Sequence, residues 1–269
     1  MQYITTPTKA PFRWRTIRVE KKDHIGWITL NRPEARNTFT TPLARELNAA
    51  LEELDGDADV RVVVIGAAGK HFSTGIDLGE FGDKSHQAYR ELIKLMDQHN
   101  HTIARMNKPV IASVKGYAIA NGAGLTFACD LVVAAEGAKF GTTAINVGLI
   151  CLGPAVPLLR SVGRKKTLEM VLTGDMISAA EAERLGLVNK VVPDDQLDAA
   201  TLELASKLAA KSPLALQIGK SGIYGIADLP YHQAQDYAGE LFAALCSTED
   251  AQEGIAAFVE RRKPDWKER

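Results

Sequence analysis

Lys115-Gly116-Tyr117-Ala118-Ile119-Ala120-Asn121-Gly122-Ala123-Gly124 is flanked by two apolar runs, Pro109-Val110-Ile111-Ala112-Ser113-Val114 before it and Leu125-Thr126-Phe127-Ala128-Cys129 after it. The pattern predicts a buried strand, a turn of small residues and the start of a helix. The first N–H groups of a helix have no partner within it. Small side chains let a ligand approach them closely, and the helix end adds partial positive charge. An anion site or an oxyanion hole is built from backbone in this way. A tight strand-to-helix turn that holds no ligand has the same composition. The spacing is neither GxGxxG nor GxxxxGK[ST], so neither nucleotide fingerprint applies.

A second stretch of the same kind lies upstream. Val60-Arg61-Val62-Val63-Val64-Ile65-Gly66 is nearly all apolar, as a strand buried on both faces is, and Gly69-Lys70-His71-Phe72-Ser73-Thr74-Gly75-Ile76-Asp77-Leu78 follows it. Its turn centres on Thr74-Gly75-Ile76; the later one centres on Asn121-Gly122. Two N–H groups from separate turns, aimed at one point, polarise a carbonyl oxygen, which is where an enolate carries its charge. Spacing alone does not show that the turns converge.

Working outward, Thr16-Ile17-Arg18-Val19-Glu20 and Ile25-Gly26-Trp27-Ile28-Thr29-Leu30 read as strands joined by a hairpin turn at Lys22-Asp23-His24. Thr40 or Thr41 caps a helix whose apolar stripe is Leu43, Leu47, Ala50, Leu51 and Leu54. Glu80-Phe81-Gly82-Asp83-Lys84 is a candidate mobile lid, and one helix is predicted over residues 87–106. Residues 130–135 form another buried strand, Phe140-Gly141 begins a short one, and residues 146–154 read as a loop. Helices follow over 155–161 and 164–172, then a capping box at Ser178-Ala179-Ala180-Glu181 and a last strand over 188–192. Beyond Asp195 only helices are predicted, over 197–210, 213–224, 231–245 and 248–261. That shift divides the chain into an α/β core, residues 1–195, and a helical region, residues 196–269.

A chain of 269 residues is long enough for one large domain with a substantial core. A hydrophobic content of 46% and a charged content of 24% are those of an ordinary globular protein. The formal net charge of -1 offers nothing to nucleic acid or to an anionic membrane, so neither is expected as a partner. The 3 cysteines, Cys129, Cys151 and Cys246, are far apart and show no metal-ligand spacing, so neither a zinc site nor a disulfide framework is expected. Reduced thiols point to a cytoplasmic location. No apolar run reaches the ~18–20 residues of a transmembrane helix. Residues 1–11 lack the apolar core of a secretory signal and read as a loose lead-in.

Several segments, taken in order, resemble the crotonase, or enoyl-CoA hydratase/isomerase, superfamily. They are Ile28-Thr29-Leu30-Asn31-Arg32-Pro33-Glu34-Ala35-Arg36-Asn37, His71-Phe72-Ser73-Thr74-Gly75-Ile76-Asp77-Leu78 and Lys108-Pro109-Val110-Ile111-Ala112-Ser113-Val114-Lys115-Gly116-Tyr117-Ala118. Cys129-Asp130-Leu131, Ala138-Lys139-Phe140-Gly141 and Gly174-Asp175-Met176-Ile177-Ser178-Ala179-Ala180-Glu181-Ala182 complete the set. The resemblance runs from about Thr16 to the C-terminus. Within the superfamily, Asn146-Val147-Gly148-Leu149-Ile150-Cys151 and Gln252-Glu253-Gly254-Ile255-Ala256-Ala257-Phe258 resemble the enoyl-CoA hydratase domain-containing protein 3 branch.

The resemblance implies an α/β crotonase (ClpP-like) spiral of ββα units with a C-terminal helical trimerisation region, assembled as a trimer or a dimer of trimers. It implies an acyl-CoA thioester as ligand, with coenzyme A arriving as part of the substrate and no permanently bound cofactor or metal. The oxyanion donors of the family fall on the N–H groups of Ile76 and Asn121, with Thr74, Gly75 and Gly122 beside them. Arg36 follows the loop where the family's chain passes the adenine and phosphates, and a cation there meets phosphate by charge-assisted hydrogen bonds. Lys263 and Lys267 are candidates to reach a neighbouring subunit's ligand.

The chain departs from the family at its chemistry. Hydratases of the family place two glutamates at the positions of Gly124 and Ala144. Hydration needs one group to activate water and one to deliver a proton to the α-carbon, and neither Gly nor Ala does either. Asn146 is the candidate replacement, able to position water or substrate but a poor proton carrier. Cys151, Glu80, His71, His99, Tyr117, Thr142 and Thr143 are further candidates, each with a packing or solvated reading beside it; Asp77 reads as structural. The expected function is enolate stabilisation on an acyl-CoA thioester. The alternatives are decarboxylation or thioester hydrolysis, a non-catalytic acyl-CoA-binding protein, or an RNA-binding or scaffolding role that the near-neutral charge argues against. Restoring glutamate at positions 124 and 144 together is the expected test of the assignment.

Overall fold

The computed structural model describes residues 13–269, so the lead-in read over residues 1–11 lies outside the described residues. Strands β1 (Ile17–Lys22) and β2 (Ile25–Leu30) form the expected hairpin, with Asp23 and His24 at φ of 53° and 64° in its turn. Helix α1 (Thr41–Gly56) starts at Thr40, whose side chain accepts from the Leu43 N–H, and β3 (Val62–Ala67) follows. The helix predicted over 87–106 is two helices, α2 (His86–Met96) and α3 (Gln98–Arg105). Asp97, at φ -97° and ψ 0°, breaks them apart. Its N–H still caps the Ile93 carbonyl while its own carbonyl takes the Asn100 N–H, so hydrogen bonding continues as the axis changes.

The small-residue turn contains a strand not foreseen from sequence. β4 (Val110–Val114) leads to the short β5 (Tyr117–Ile119), which opens α4 (Asn121–Ala128). β6 (Leu131–Ala135) and β7 (Lys139–Gly141) repeat the arrangement. A 3-10 helix, Thr143–Val147, runs into the start of the loop predicted over 146–154, and α5 (Leu152–Thr173) takes in its last residues and is interrupted at Gly163, between the two predicted helices. β8 (Met176–Ser178), α6 (Ala179–Arg184) and β9 (Lys190–Val192) complete the α/β part. The four C-terminal helices are α7 (Leu197–Ala209), α8 (Pro213–Ile226), α9 (Tyr231–Cys246) and α10 (Glu249–Glu260).

Two sheets result. The larger has the order β1-β2-β3-β4-β6-β9 and is parallel beyond the first hairpin; the smaller has the order β5-β7-β8. Each turn of the chain gives one strand to the large sheet and the next to the small one, β4 then β5 and β6 then β7. The segment after β3 joins the scheme through a single parallel bridge, Ser73 to Ala118. The large sheet is covered on both faces, which is why its inner strands are nearly all apolar, Ser113 of β4 being a buried exception. Val63 and Ile65 face Leu43, Leu47 and Leu51 of α1, while Val62 and Val64 face Leu197, Ala200 and Ala205 of α7.

One largely buried cluster, open to solvent at Tyr224, fixes the helical region to this core. Asp130 accepts from the Val110 N–H at 2.7 Å, the Lys220 ammonium at 2.7 Å and the Tyr224 hydroxyl at 3.0 Å, and Lys220 also donates to the Lys108 carbonyl at 2.9 Å. Among the described residues no helix is long and apolar enough to cross a membrane. Lys220→Met leaves the Asp130 carboxylate without its cation in a largely buried setting. The expected loss is about 3–5 kcal/mol of unfolding free energy, read from the urea midpoint at constant slope; a change below 1 kcal/mol would show that the pair is solvated.

Candidate functional site

Three consecutive turns of the chain end at one place. Ser73 pairs with β5, donating to the Tyr117 carbonyl and accepting from the Ile119 N–H, both at 3.0 Å. β5 pairs in parallel with β7, Ile119 opposite Gly141. The residues that follow each segment are therefore neighbours: Gly75-Ile76, Ala120-Asn121 and Thr142-Thr143-Ala144.

The first two turns touch through their backbones. Gly75 has φ +96°, and a Cβ on it would stand 2.7 Å from the Ala120 Cβ and 3.5 Å from the Asn121 nitrogen. A Cβ on Gly122 would overlap the Ser73 carbonyl. The convergence that spacing left open is thus a consequence of two absent side chains. Ala120 has φ 49° and ψ -122°, a conformation disfavoured for any residue with a Cβ. Its N–H donates to the Gly141 carbonyl at 2.8 Å, and its dihedrals swing the next N–H out of the ladder.

The N–H groups of Ile76 and Asn121 share a chemical state. Phe39 donates to the Gly75 carbonyl and accepts from the Asp77 N–H, both at 2.8 Å, so the N–H of Ile76 between them points to the opposite edge. Asn121 is the first residue of α4, which has no capping side chain. Neither N–H donates to another described residue. Both open onto a cleft of about 1120 Å³ that Ile76 and Asn121 line together with Arg36, Thr74, Asp97 and Ala144. Its apolar lining includes Leu78, Phe81, Ile93, Leu149, Ile150 and Pro154. Two free N–H groups in such walls suit an oxygen that gains negative charge during a reaction.

The remaining candidates divide. Arg36 is exposed at the rim, beside His71 and Lys70. Gly75 and Gly122 do not face the cleft; they let the two turns meet. Asn146 is not brought to the site: it is exposed, and its amide lies 3.0 Å from where a Cβ on Gly174 would stand. Glu80 is no lid residue, since its carboxylate takes the N–H and hydroxyl of Thr41 at the start of α1. Asp77 holds Thr38, Gly79 and Arg32 in place. His71 accepts from the Tyr117 N–H and stacks on its ring at 4.6 Å; burial and the nearby Lys70 and Arg36 hold its pKa below the usual value. His99 is buried beside Phe39 with its pKa pushed down to about 4, so it is neutral. Thr143 lines the cleft and Thr142 lies buried beneath. Cys151 lines it too, and burial raises its thiol pKa, which keeps the thiol protonated. Lys263 and Lys267 lie in the C-terminal segment, away from the cleft lining.

Residues 20–269 match the enoyl-CoA hydratase/isomerase family. The chain is 39% identical to a probable enoyl-CoA hydratase of Rhizobium meliloti (strain 1021), over 95% of this chain and 99% of that one. It is 38% identical to the 2,3-dehydroadipyl-CoA hydratase of Escherichia coli (strain K12), over 93% and 98%. The structure of human enoyl-CoA hydratase domain-containing protein 3 superposes with a TM-score of 0.91 at 35% identity, covering 94% of this chain and 100% of that one. The chain belongs to the enoyl-CoA hydratase/isomerase family. Its architecture is the crotonase spiral, with a helical C-terminal region.

Position 124 is closely packed against the start of α5. A Cβ on Gly124 would stand 2.9 Å from the Pro154 Cγ and 3.2 Å from its Cβ. Pro154 thus occupies the space a side chain at 124 needs, so the paired restoration of glutamate at 124 and 144 that the sequence suggested does not fit at 124 while Pro154 stands. Beside it, a Cβ on Gly153 would overlap the carboxylate of Asp97. Asp97 was missed in the sequence because it sits inside what reads as one continuous helix. Burial with no cation against it pushes its pKa up to about 6. The signal available beforehand was the glycine-proline pair at 153–154, which makes room for a group from elsewhere.

Gly75→Ala is expected to lose about 1–3 kcal/mol, because it combines a left-handed φ with the Ala120 contact; equilibrium denaturation measures it, and an unchanged midpoint would mean the turns are free to separate. A second expectation concerns pH. Asp97 binds its proton more tightly folded than unfolded, so the native state holds more protons between about pH 4 and 6 and stability falls as pH rises through that window. Asp97→Asn should therefore stabilise the protein by roughly 2–3 kcal/mol at neutral pH and leave it nearly unchanged near pH 4. A stabilisation independent of pH would remove the carboxylate from the explanation.

Proposed function

We propose that the protein binds an acyl-CoA thioester in this cleft and stabilises the thioester enolate at the N–H groups of Ile76 and Asn121. The observation that carries this reading is the pair of unpartnered N–H groups on converging turns within a large, mostly apolar cleft. Family membership supports the thioester as ligand. Arg36 at the rim suits a coenzyme A phosphate, and the coenzyme arrives with the substrate. With Gly124 and Ala144 at the family's glutamate positions, hydration is not the favoured reaction. Decarboxylation of a carboxylated acyl-CoA is a second reading, favoured by those two residues because loss of CO2 leaves an enolate without a base.

Self-association as a trimer or a dimer of trimers belongs to the same proposal. It is supported by large apolar side chains left open on the C-terminal helices, Phe242 at 67% and Phe258 at 86% exposure among them.

Infrared difference spectroscopy of bound butyryl-CoA tests the site directly. The thioester carbonyl stretch should move to lower wavenumber on binding, as two aligned donors polarise the bond; a bound ligand with an unshifted carbonyl would exclude the oxyanion reading. Crotonyl-CoA hydration should run about 10²–10⁴-fold below that of a relative carrying both glutamates, and an equal rate would overturn the assignment of Gly124 and Ala144.

A further inference from the structure

We propose that Asp97 is the catalytic residue of this site, moving a proton at the carbon beside the thioester carbonyl from the junction of α2 and α3 rather than from α4. This rests on the acyl-CoA reading above and adds a reacting group to it.

Three geometric facts place Asp97. It lines the cleft that Ile76 and Asn121 open into. The carbonyl of Met96, in the peptide unit that leads into Asp97, accepts from the Asn121 side chain at 2.8 Å, so the residue that carries one oxyanion donor also anchors the backbone of Asp97. The Asp97 carboxylate lies over Gly153, and its neighbour Pro154 fills the space left at Gly124. The volume a carboxylate on α4 would use is thus closed, and another carboxylate stands alongside from a different element.

The other cleft groups are unsuited. Asp77 is committed to Thr38, Gly79 and Arg32, Glu34 is exposed on the outer rim, and the Cys151 thiol stays protonated. Asp97 has no hydrogen bond to another described side chain, so its lone pairs are available. The ionisable groups around it are Cys151 at the N-cap of α5 and the buried, neutral His99 in α3, with Glu34, Arg36, Asp77 and Tyr117 on the rest of the cleft wall. A carboxyl with a pKa of about 6 suits both directions of proton transfer near neutrality.

The step balances without a further reagent. The Asp97 carboxylate forms an O–H bond with the α-proton as the C–H bond breaks; the C–H electron pair forms the carbon–carbon double bond, and the carbonyl π pair moves to the oxygen facing Ile76 and Asn121. Return of the proton to the same carbon gives exchange, and return to the vinylogous carbon of an unsaturated acyl chain gives isomerisation.

Deuterium exchange at the α-carbon of butyryl-CoA in D2O, followed by mass spectrometry with ligand affinity measured in parallel, tests this. Wild-type protein should exchange the α-protons, with a rate that rises with pH as Asp97 ionises and then levels off. Asp97→Asn should keep its affinity and lose exchange by about 10²-fold or more. Asp97→Glu should restore part of the rate with a displaced pH profile. Gly153→Ala, which pushes the carboxylate aside without removing it, should also slow exchange. Binding with no exchange by the wild type, or equal exchange by Asp97→Asn, overturns the role of Asp97 and leaves the thioester site standing. Absence of butyryl-CoA binding overturns both.

Discussion

Everything at the site depends on how closely two stretches of backbone approach each other. Gly75 stands against Ala120 and Asn121, and Gly122 stands against Ser73; a methyl group at either glycine would hold the turns apart. The approach is enforced from outside by Ser73 pairing with β5 and Phe39 pairing with Ile76. It also holds Ala120 in a conformation that an unconstrained alanine abandons. The core thus stabilises a local arrangement that would not survive alone, and that arrangement turns two N–H groups toward the same empty space.

A site made in this way separates two chemical tasks. Charge on oxygen is received by main-chain groups whose direction is set by the sheets, so side chains there are free to vary. Proton movement needs a titratable side chain, and the cleft wall offers several places from which one can reach in. Gly124 and Ala144 carry no titratable group, and the main-chain part stands intact beside them. Asp97, at the break between two helices, puts a carboxylate on the same cleft wall.

Much of this was legible in the sequence. Both turns, the apolar strands leading to them and the shift to helices beyond Asp195 follow from local pattern, because a buried parallel strand and a small-residue turn leave strong signals. The short strand Tyr117–Ile119 was not legible: three residues carry no period of their own. The helix break at Asp97 was hidden for a different reason. Leu92, Met96, His99 and Ile103 keep a helical spacing across it, so the apolar stripe runs on while the axis turns. The amide of Asn146 faces Gly174 and that of Asn121 grips Met96; such choices depend on contacts between residues far apart in the chain and leave no trace in spacing.

Pro154 ties the fate of position 124 to its own. Its ring fills the room beside position 124, and a ring cannot fold away as a long side chain does. A mutation that brings a carboxylate to 124 is therefore harmful until 154 has changed, and a change at 154 alone leaves a void. Positions 124 and 154 are thus mutationally coupled, and neither changes safely until the other has.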